Sequence, residues 1–453
     1  MSDTFTQLLI VGGGPAGTQA ATVAASKGAR VILVEKDIVG GAAHLWDCIP
    51  SKTMAASAMR HTSVRNAAKL GLVNEPGTVD PKVLSERITE ITTDINESWI
   101  ELLESQRVEI LHGTATFTGS HQVVVETEVD ERRIRFDKAM ISTGSYPRVP
   151  DWAPVDGKRV LTTRHAYHLD EVPEHVVVVG SGVTGVEFTH IFESMEARVS
   201  LVVSRQQILP HRDAEVAAVL EEDFLERGVR LVIGARAEAV ELGDSEAVVV
   251  CDDGRRIKGS HVLLAVGSIP QSAGLGLGEA GVEVDAGGFI PVDEFQRTSA
   301  PHIYAAGDVT GQMLLSSVAS AQGRKIARHA LNLPVEPIDY TKVPEAIFTE
   351  PEIASVGLVE VEAAALGRKL RTTKVPFASN ARSVLQHQDR GFVKLTSDPA
   401  TGVVLGGTIV GHRASELIGV ITLAVQARVT AQTLLETLMV HPSMTEAITE
   451  AAE

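Results

Sequence analysis

Two kinds of apolar pattern divide the chain. In its first 300 residues, short and nearly continuous apolar runs recur at residues 7–11, 29–35, 175–179 and 197–203. Such runs, with no polar face, predict strands buried on both sides in a parallel sheet. Residues 7–11 and 175–179 each pass straight into a glycine-rich turn and then a helix-like stretch; after the first turn residues 18–26 are small and helix-forming. From about Pro334 the pattern changes. Residues 392–395, 402–407 and 408–411 read as antiparallel strands with glycine turns, and residues 414–418 open a long helix.

The first turn is Gly12-Gly13-Gly14-Pro15-Ala16-Gly17, in the strand–turn–helix context that a dinucleotide site requires. Gly12 permits the tight turn, Gly14 lets the backbone approach a pyrophosphate, and Gly17 lets helix and strand pack closely. The helix start offers free N–H groups and a positive dipole end. The next strand ends in Glu35, followed by Lys36, where a carboxylate accepts from ribose hydroxyls.

The second turn, Gly180-Ser181-Gly182-Val183-Thr184-Gly185, repeats these features, with Glu187 two residues on. Its second strand ends in Val203, then Ser204 and Arg205. No carboxylate stands there to bind a 2′-hydroxyl and repel a 2′-phosphate, and Arg205 can reach such a phosphate or remain a solvated cation. NADPH is the expected donor, with NADH also accepted.

Length and charge narrow the class. At 453 residues the chain exceeds one core, so two or three domains are expected. A net charge of −17 argues against a nucleic-acid surface or an anionic membrane anchor. Two cysteines give no disulfide framework and fit a reducing compartment. With no signal-peptide pattern and no apolar run of spanning length, the expected location is cytoplasmic, without membrane insertion. No metal site is expected.

Residues 40–52 read Gly-Gly-Ala-Ala-His-Leu-Trp-Asp-Cys-Ile-Pro-Ser-Lys and look like the opening of a helix. This segment resembles that of the flavoprotein disulfide reductases, G-G-T-C-x-x-x-x-C-x-P-S-K, in which two cysteines form the redox disulfide. Here the first cysteine position is Ala43 and only Cys48, the flavin-side position, remains. The other cysteine, Cys251, lies in a strand running into a turn and reads as a small buried hydrophobe. A disulfide needs two sulfurs, so disulfide exchange is not expected.

The resemblance covers nearly the whole chain. Residues 303–308, ending in Gly307-Asp308, resemble the second flavin motif, whose aspartate binds the ribitol. Residues 139–147, with Thr143 and Gly144, and residues 266–270, with Gly267, resemble the two hinge crossings. The resemblance therefore implies an α/β fold with two Rossmann-like domains and a C-terminal α+β dimerisation domain. The expected boundaries are 1–148 and 269–333 for the discontinuous FAD domain, 149–268 for the NAD(P) domain and 334–453 for the dimer interface. It implies an FAD cradle from Gly12, Gly14, Pro15, Ala16, Gly17, Glu35, Lys36, Gly41, Ala42, Lys52, Thr143, Gly144, Gly267, Gly307 and Asp308. The implied nicotinamide site uses Gly180, Gly182, Val183, Thr184, Gly185, Ser204 and Arg205. It also implies that Lys52 and Glu187 pair beside the flavin N5, where a cation stabilises the reduced ring. At the C-terminus His441-Pro442-Ser443-Met444-Thr445-Glu446 matches H-P-x-x-x-E, the acid/base dyad that the family's homodimer presents to its partner's flavin.

Of two kinds of relative with a broken disulfide motif, the segment resembles the NAD(P)H:quinone reductases of the LpdA type, G-G-A-A-x-L-x-D-C-x-P-S-K, more than the soluble transhydrogenases, and the chain departs from the former in having His441 and Glu446. The expected function is an FAD-dependent NAD(P)H oxidoreductase serving a quinone-like acceptor, with Cys48 tuning the flavin and His441 either protonating the acceptor or structural. A soluble pyridine nucleotide transhydrogenase, another acceptor and a non-catalytic flavoprotein are the alternatives.

Overall fold

The computed structural model describes residues 3–73 and 77–453, which form two compact units. The first unit combines residues up to 51 with 85–148 and 267–338, and the second combines 52–84, 149–266 and 339–453.

The first unit is built on a seven-stranded sheet. Strands Glu109–His112, Val31–Glu35 and Asp3–Val11 run parallel beside the long strand Glu131–Ile141. Residues 131–135 of that long strand pair antiparallel with Gln122–Glu126, whereas residues 139–141 pair parallel with Ile303–Ala305. Alternation of side chains sends Leu9, Val11, Ile32 and Val34 into one core and Leu8, Ile10, Val31 and Leu33 into the other. Both faces are therefore buried, which explains the unbroken apolar runs. Helices Pro15–Ser26 and Ser316–Ala330 cover the second face through Ala16, Ala20, Ala24, Ala319 and Ile326. Short strands Ser145–Pro147 and Ser268–Pro270 pair antiparallel where the chain leaves and re-enters this unit.

The segment at 40–52 does not open one helix. It forms a single turn, Gly41–Leu45, and after a break at Trp46 and Asp47 the helix Cys48–Arg65 begins.

The second unit holds a five-stranded parallel sheet, in the order Arg230–Ile233, Arg198–Val203, His175–Val179, His261–Leu264, Val160–Thr162. Helix Val183–Ser194 follows the central strand. A three-stranded antiparallel sheet contains Cys251, which is buried among Val249, Ile257 and Ala237. The C-terminal residues form a five-stranded antiparallel sheet backed by helix Ala414–Gln426.

One expected turn is absent there. Residues 404–411 form a single strand rather than two strands joined at Gly406-Gly407. The glycines serve close packing: a Cβ on Gly406 would meet the backbone nitrogen of Leu358 at 2.6 Å, and one on Gly407 would meet the Lys394 carbonyl at 2.8 Å. Among the described residues no helix is long and apolar enough to cross a membrane.

Candidate functional site

In the first unit the turn after strand Asp3–Val11 is as tight as its glycines allow. Gly12 has φ +103°, and a Cβ there would stand 2.4 Å from the Ser142 carbonyl oxygen. A Cβ on Gly17 would stand 2.0 Å from the Gly12 carbonyl oxygen, so helix and strand approach through hydrogen alone. Gly14 caps helix Pro15–Ser26 with no side-chain partner for the first N–H groups, and Pro15 occupies the first helical position. A helix start of this kind suits a ligand's phosphate.

Glu35 is buried at the end of its strand and holds this turn. The Gly13 amide donates to Oε2 at 2.6 Å and the Asp37 amide to Oε1 at 2.8 Å. Burial raises its pKa, and those amides pull it back down. Each carboxylate oxygen keeps a lone pair for a hydroxyl. Lys36 Nζ donates to the Gln271 side chain at 3.0 Å. Gly41, at φ +62°, packs on the turn, where a Cβ would meet Gly14 Cα at 2.8 Å. Ala42 and Ala43 lie on the same short turn of helix.

Asp308 and Gly307 follow strand Ile303–Ala305. Ser145 Oγ donates to Asp308 Oδ2 at 2.7 Å. Burial raises the Asp308 pKa, and the Ser145 hydroxyl offsets part of that. The Gly307 amide donates to Gln322 Oε1 at 2.7 Å. Thr143 donates to the Gln271 carbonyl at 2.6 Å, and Gly144 and Gly267 take φ +74° and +97°. Cys48 Sγ lies 3.2 Å from Ser316 Oγ.

In the second unit Gly180 and Gly185 repeat the first turn, with Cβ approaches of 2.3 Å to the Ala265 carbonyl oxygen and 1.8 Å to that of Gly180. Gly182, Val183 and Thr184 are exposed at the helix start, as are Ser204 and Arg205 after Val203. Glu187 is buried one turn into the helix. Its Oε2 accepts from Lys52 Nζ at 2.7 Å and its Oε1 from the Phe348 amide at 2.9 Å. Lys52 Nζ also lies 4.7 Å from the centre of the Phe348 ring. The ammonium is thus fixed by a carboxylate and an aromatic face.

The C-terminal pair is formed. His441 Nδ1 lies 2.8 Å from Glu446 Oε1, and the Ser443 amide donates to Oε2 at 2.8 Å. These two partners, the amide first, hold Glu446 below the usual carboxylate range. The His441 side chain is 74% exposed, so Nε2 faces outward from a ring fixed at its other nitrogen.

Sequence reasoning missed Ser145, Gln271, Gln322, Ser316 and Phe348. Ser145 directly follows the hinge glycine and was within reach of a motif argument. The others touch the site through tertiary folding, and no local pattern marks them.

The chain matches the family model "Pyridine nucleotide-disulphide oxidoreductase" over residues 6–323 and its dimerisation domain over residues 343–452. It is 40% identical to a NAD(P)H dehydrogenase (quinone) of Mycobacterium tuberculosis, over 99% of this chain and 93% of that protein. A dihydrolipoyl dehydrogenase of Chlorobaculum parvum is 36% identical over 98% and 95%. The crystal structure of LpdA from M. tuberculosis superimposes with a TM-score of 0.94 at 40% identity, covering 99% of both chains. The HOCl-induced flavoprotein disulfide reductase RclA from Escherichia coli gives 0.89 at 25% identity, covering 98% and 99%.

Proposed function

The chain belongs to the pyridine nucleotide-disulphide oxidoreductases, a family of flavin-dependent oxidoreductases, and we propose that it passes electrons from NAD(P)H to a quinone-like acceptor without using a redox disulfide. The observation that carries this reading is Ala43 at the position of the first redox sulfur. Among the described residues neither Cys48 nor Cys251 is in a disulfide, and Cys251 is buried in an apolar core that, together with nearby carboxylates, raises its thiol pKa. A thiol held protonated is a poor nucleophile for exchange. The name of the 40%-identical relative supports the acceptor class.

The first cradle fits FAD. Gly12, Gly17 and Gly41 leave no room for a Cβ around the Gly14 turn, Glu35 retains acceptor capacity for a ribose, and buried Asp308 accepts from the Ser145 hydroxyl with lone pairs to spare for a ribitol hydroxyl. Bound there, the cofactor supplies hydride acceptance and onward electron delivery. The chain's own part is to hold the nicotinamide donor on the Gly180–Gly185 turn and to fix the Lys52 ammonium through Glu187. Arg205 offers a guanidinium to a 2′-phosphate, which favours NADPH while leaving NADH usable. The matched dimerisation domain supports a homodimer in which the outward Nε2 of His441 serves as proton donor to the acceptor.

The test is anaerobic stopped-flow reduction with NADPH, followed by mixing with menadione or with lipoamide. Fast bleaching, fast reoxidation by menadione and negligible turnover of lipoamide are expected. Brisk lipoamide reduction, or a flavin that NADPH and NADH cannot bleach, overturns the reading.

A further inference from the structure

The helix that carries Lys52 and the helix that carries Glu187 are joined a second time, far from that pair. His61 lies on helix Cys48–Arg65, more than two turns beyond Lys52. Its Nδ1 stands 2.7 Å from the carbonyl oxygen of Ser194, the last residue of helix Val183–Ser194. Its Nε2 stands 2.7 Å from the carbonyl oxygen of Gly77. Carbonyl oxygens only accept, and a neutral imidazole carries one N–H. Two contacts at hydrogen-bond distance therefore require a hydrogen on each ring nitrogen.

We propose that His61 is a positioning residue, held as an imidazolium, whose two N–H groups tie the end of the Glu187 helix to the Lys52 helix and so set the Lys52–Glu187 pair. The proposal rests on the reading of that pair as part of the reducing site.

The surroundings favour the charge on balance. The Ser194 carbonyl lies at a helix C-terminus, the negative end of its dipole, where a cation is stabilised. Glu193, on the same last turn, is buried and takes Arg65 at 3.4 Å from the His61 helix. Arg227, which follows helix Ala214–Glu226, also pairs with Glu193 and donates to Ser194 Oγ at 2.8 Å. His190, fully buried one turn earlier, accepts from Arg227 at Nδ1, and burial followed by the Arg227 charge drives its pKa well down, so it adds no cation. Of the opposing cations, Arg65 and Arg227 both pair with Glu193, and Arg227 also pairs at 3.0 Å with Asp223, whose pKa burial raises to about 7. Helix Val183–Ser194 begins at the nicotinamide turn and ends at this tether. A shift of its last turn moves Glu187 along with it, because a helix transmits displacement along its axis.

The test compares the full-length holoenzyme with His61→Gln and His61→Arg. Gln is neutral; Arg is a permanent cation with several donors. Two readouts are followed from pH 6 to 9. The first is hydrogen–deuterium exchange in the peptide spanning residues 186–196, corrected for intrinsic rates. The second is the rate of flavin bleaching by NADPH. In the parent protein, protection and bleaching rate are expected to change together. His61→Gln should show exchange roughly tenfold to a hundredfold faster at pH 6.5, the loss of one charge-assisted hydrogen bond, with slower bleaching. His61→Arg should restore both at every pH. Exchange that is unchanged in His61→Gln, or an Arg variant no better protected than the Gln variant, overturns the proposal. Exchange does not depend on the flavin reaction, so a parent protein that NADPH cannot bleach would defeat the functional reading while leaving the tether to stand or fall on exchange.

Discussion

At the scale of single residues, the proposed function turns on a missing sulfur at Ala43 and a missing carboxylate at Val203. Ala43 lies on the short helical turn Gly41–Leu45, five residues before Cys48 opens the helix Cys48–Arg65. If its side chain alone bars disulfide chemistry, Ala43→Cys should restore part of it. Titration of the oxidised, unfolded variant should then find two fewer thiols than after reduction, and lipoamide reduction should rise above background; equal thiol counts would show that the segment no longer brings the two positions together. Val203 is the other deletion. Arg205 is exposed beside it, where a monodentate or bidentate contact to a 2′-phosphate is worth roughly tenfold or more. Arg205→Ala should lower kcat/KM for NADPH by about that factor and leave the NADH value within twofold, the scale of one lost charged hydrogen bond. An unmoved NADPH-to-NADH ratio would return Arg205 to the solvated surface.

At the scale of elements, the sequence disclosed the parts whose physics is local. Both strand–glycine–helix units, the strand ends at Glu35 and Val203, and the dyad spacing at His441 and Glu446 were legible, because each depends on residues within one turn or strand. Distant contacts were not legible. Gly323 sits in the middle of helix Ser316–Ala330, where glycine costs about 1 kcal/mol relative to alanine. The reason is three hundred residues away: a Cβ there would stand 2.1 Å from the carbonyl oxygen of Ala16, in the helix that opens at the first dinucleotide turn. Gly406 and Gly407 mislead in the same manner, since glycine for close packing and glycine for a turn are identical in the sequence. Gly323→Ala should therefore defy helix propensity and lower stability by about 1–3 kcal/mol through overpacking, with weaker retention of FAD because the Gly14–Pro15 helix start is displaced. Urea unfolding and FAD release on dilution measure the two effects. A variant as stable as the parent would mean that the two helices separate without cost.

At the scale of the whole molecule, the question is why a dyad suited to a thiol persists where the first thiol does not. A ring held at Nδ1 by Glu446 and exposed at Nε2 can give a proton to any acceptor that collects electrons, including a quinone oxygen. Glu446 is held below the ordinary carboxylate range. A carboxylate with a depressed folded pKa contributes its stabilisation above the unfolded value and loses it as pH falls through the folded value. The Glu446 side of the dyad thus survives mild acid. His441→Ala should leave flavin reduction by NADPH unchanged, because that half-reaction needs no proton from the dyad. It should slow reoxidation by menadione by about a hundredfold, the usual yield of a positioned general acid. Glu446→Gln should fall between, since it keeps an acceptor for Nδ1 but not the charge that stabilises the imidazolium. If both variants reoxidise at the parent rate from pH 6 to 8, the dyad is only a clasp on the final helix Glu446–Glu450, and the acceptor takes its proton from water.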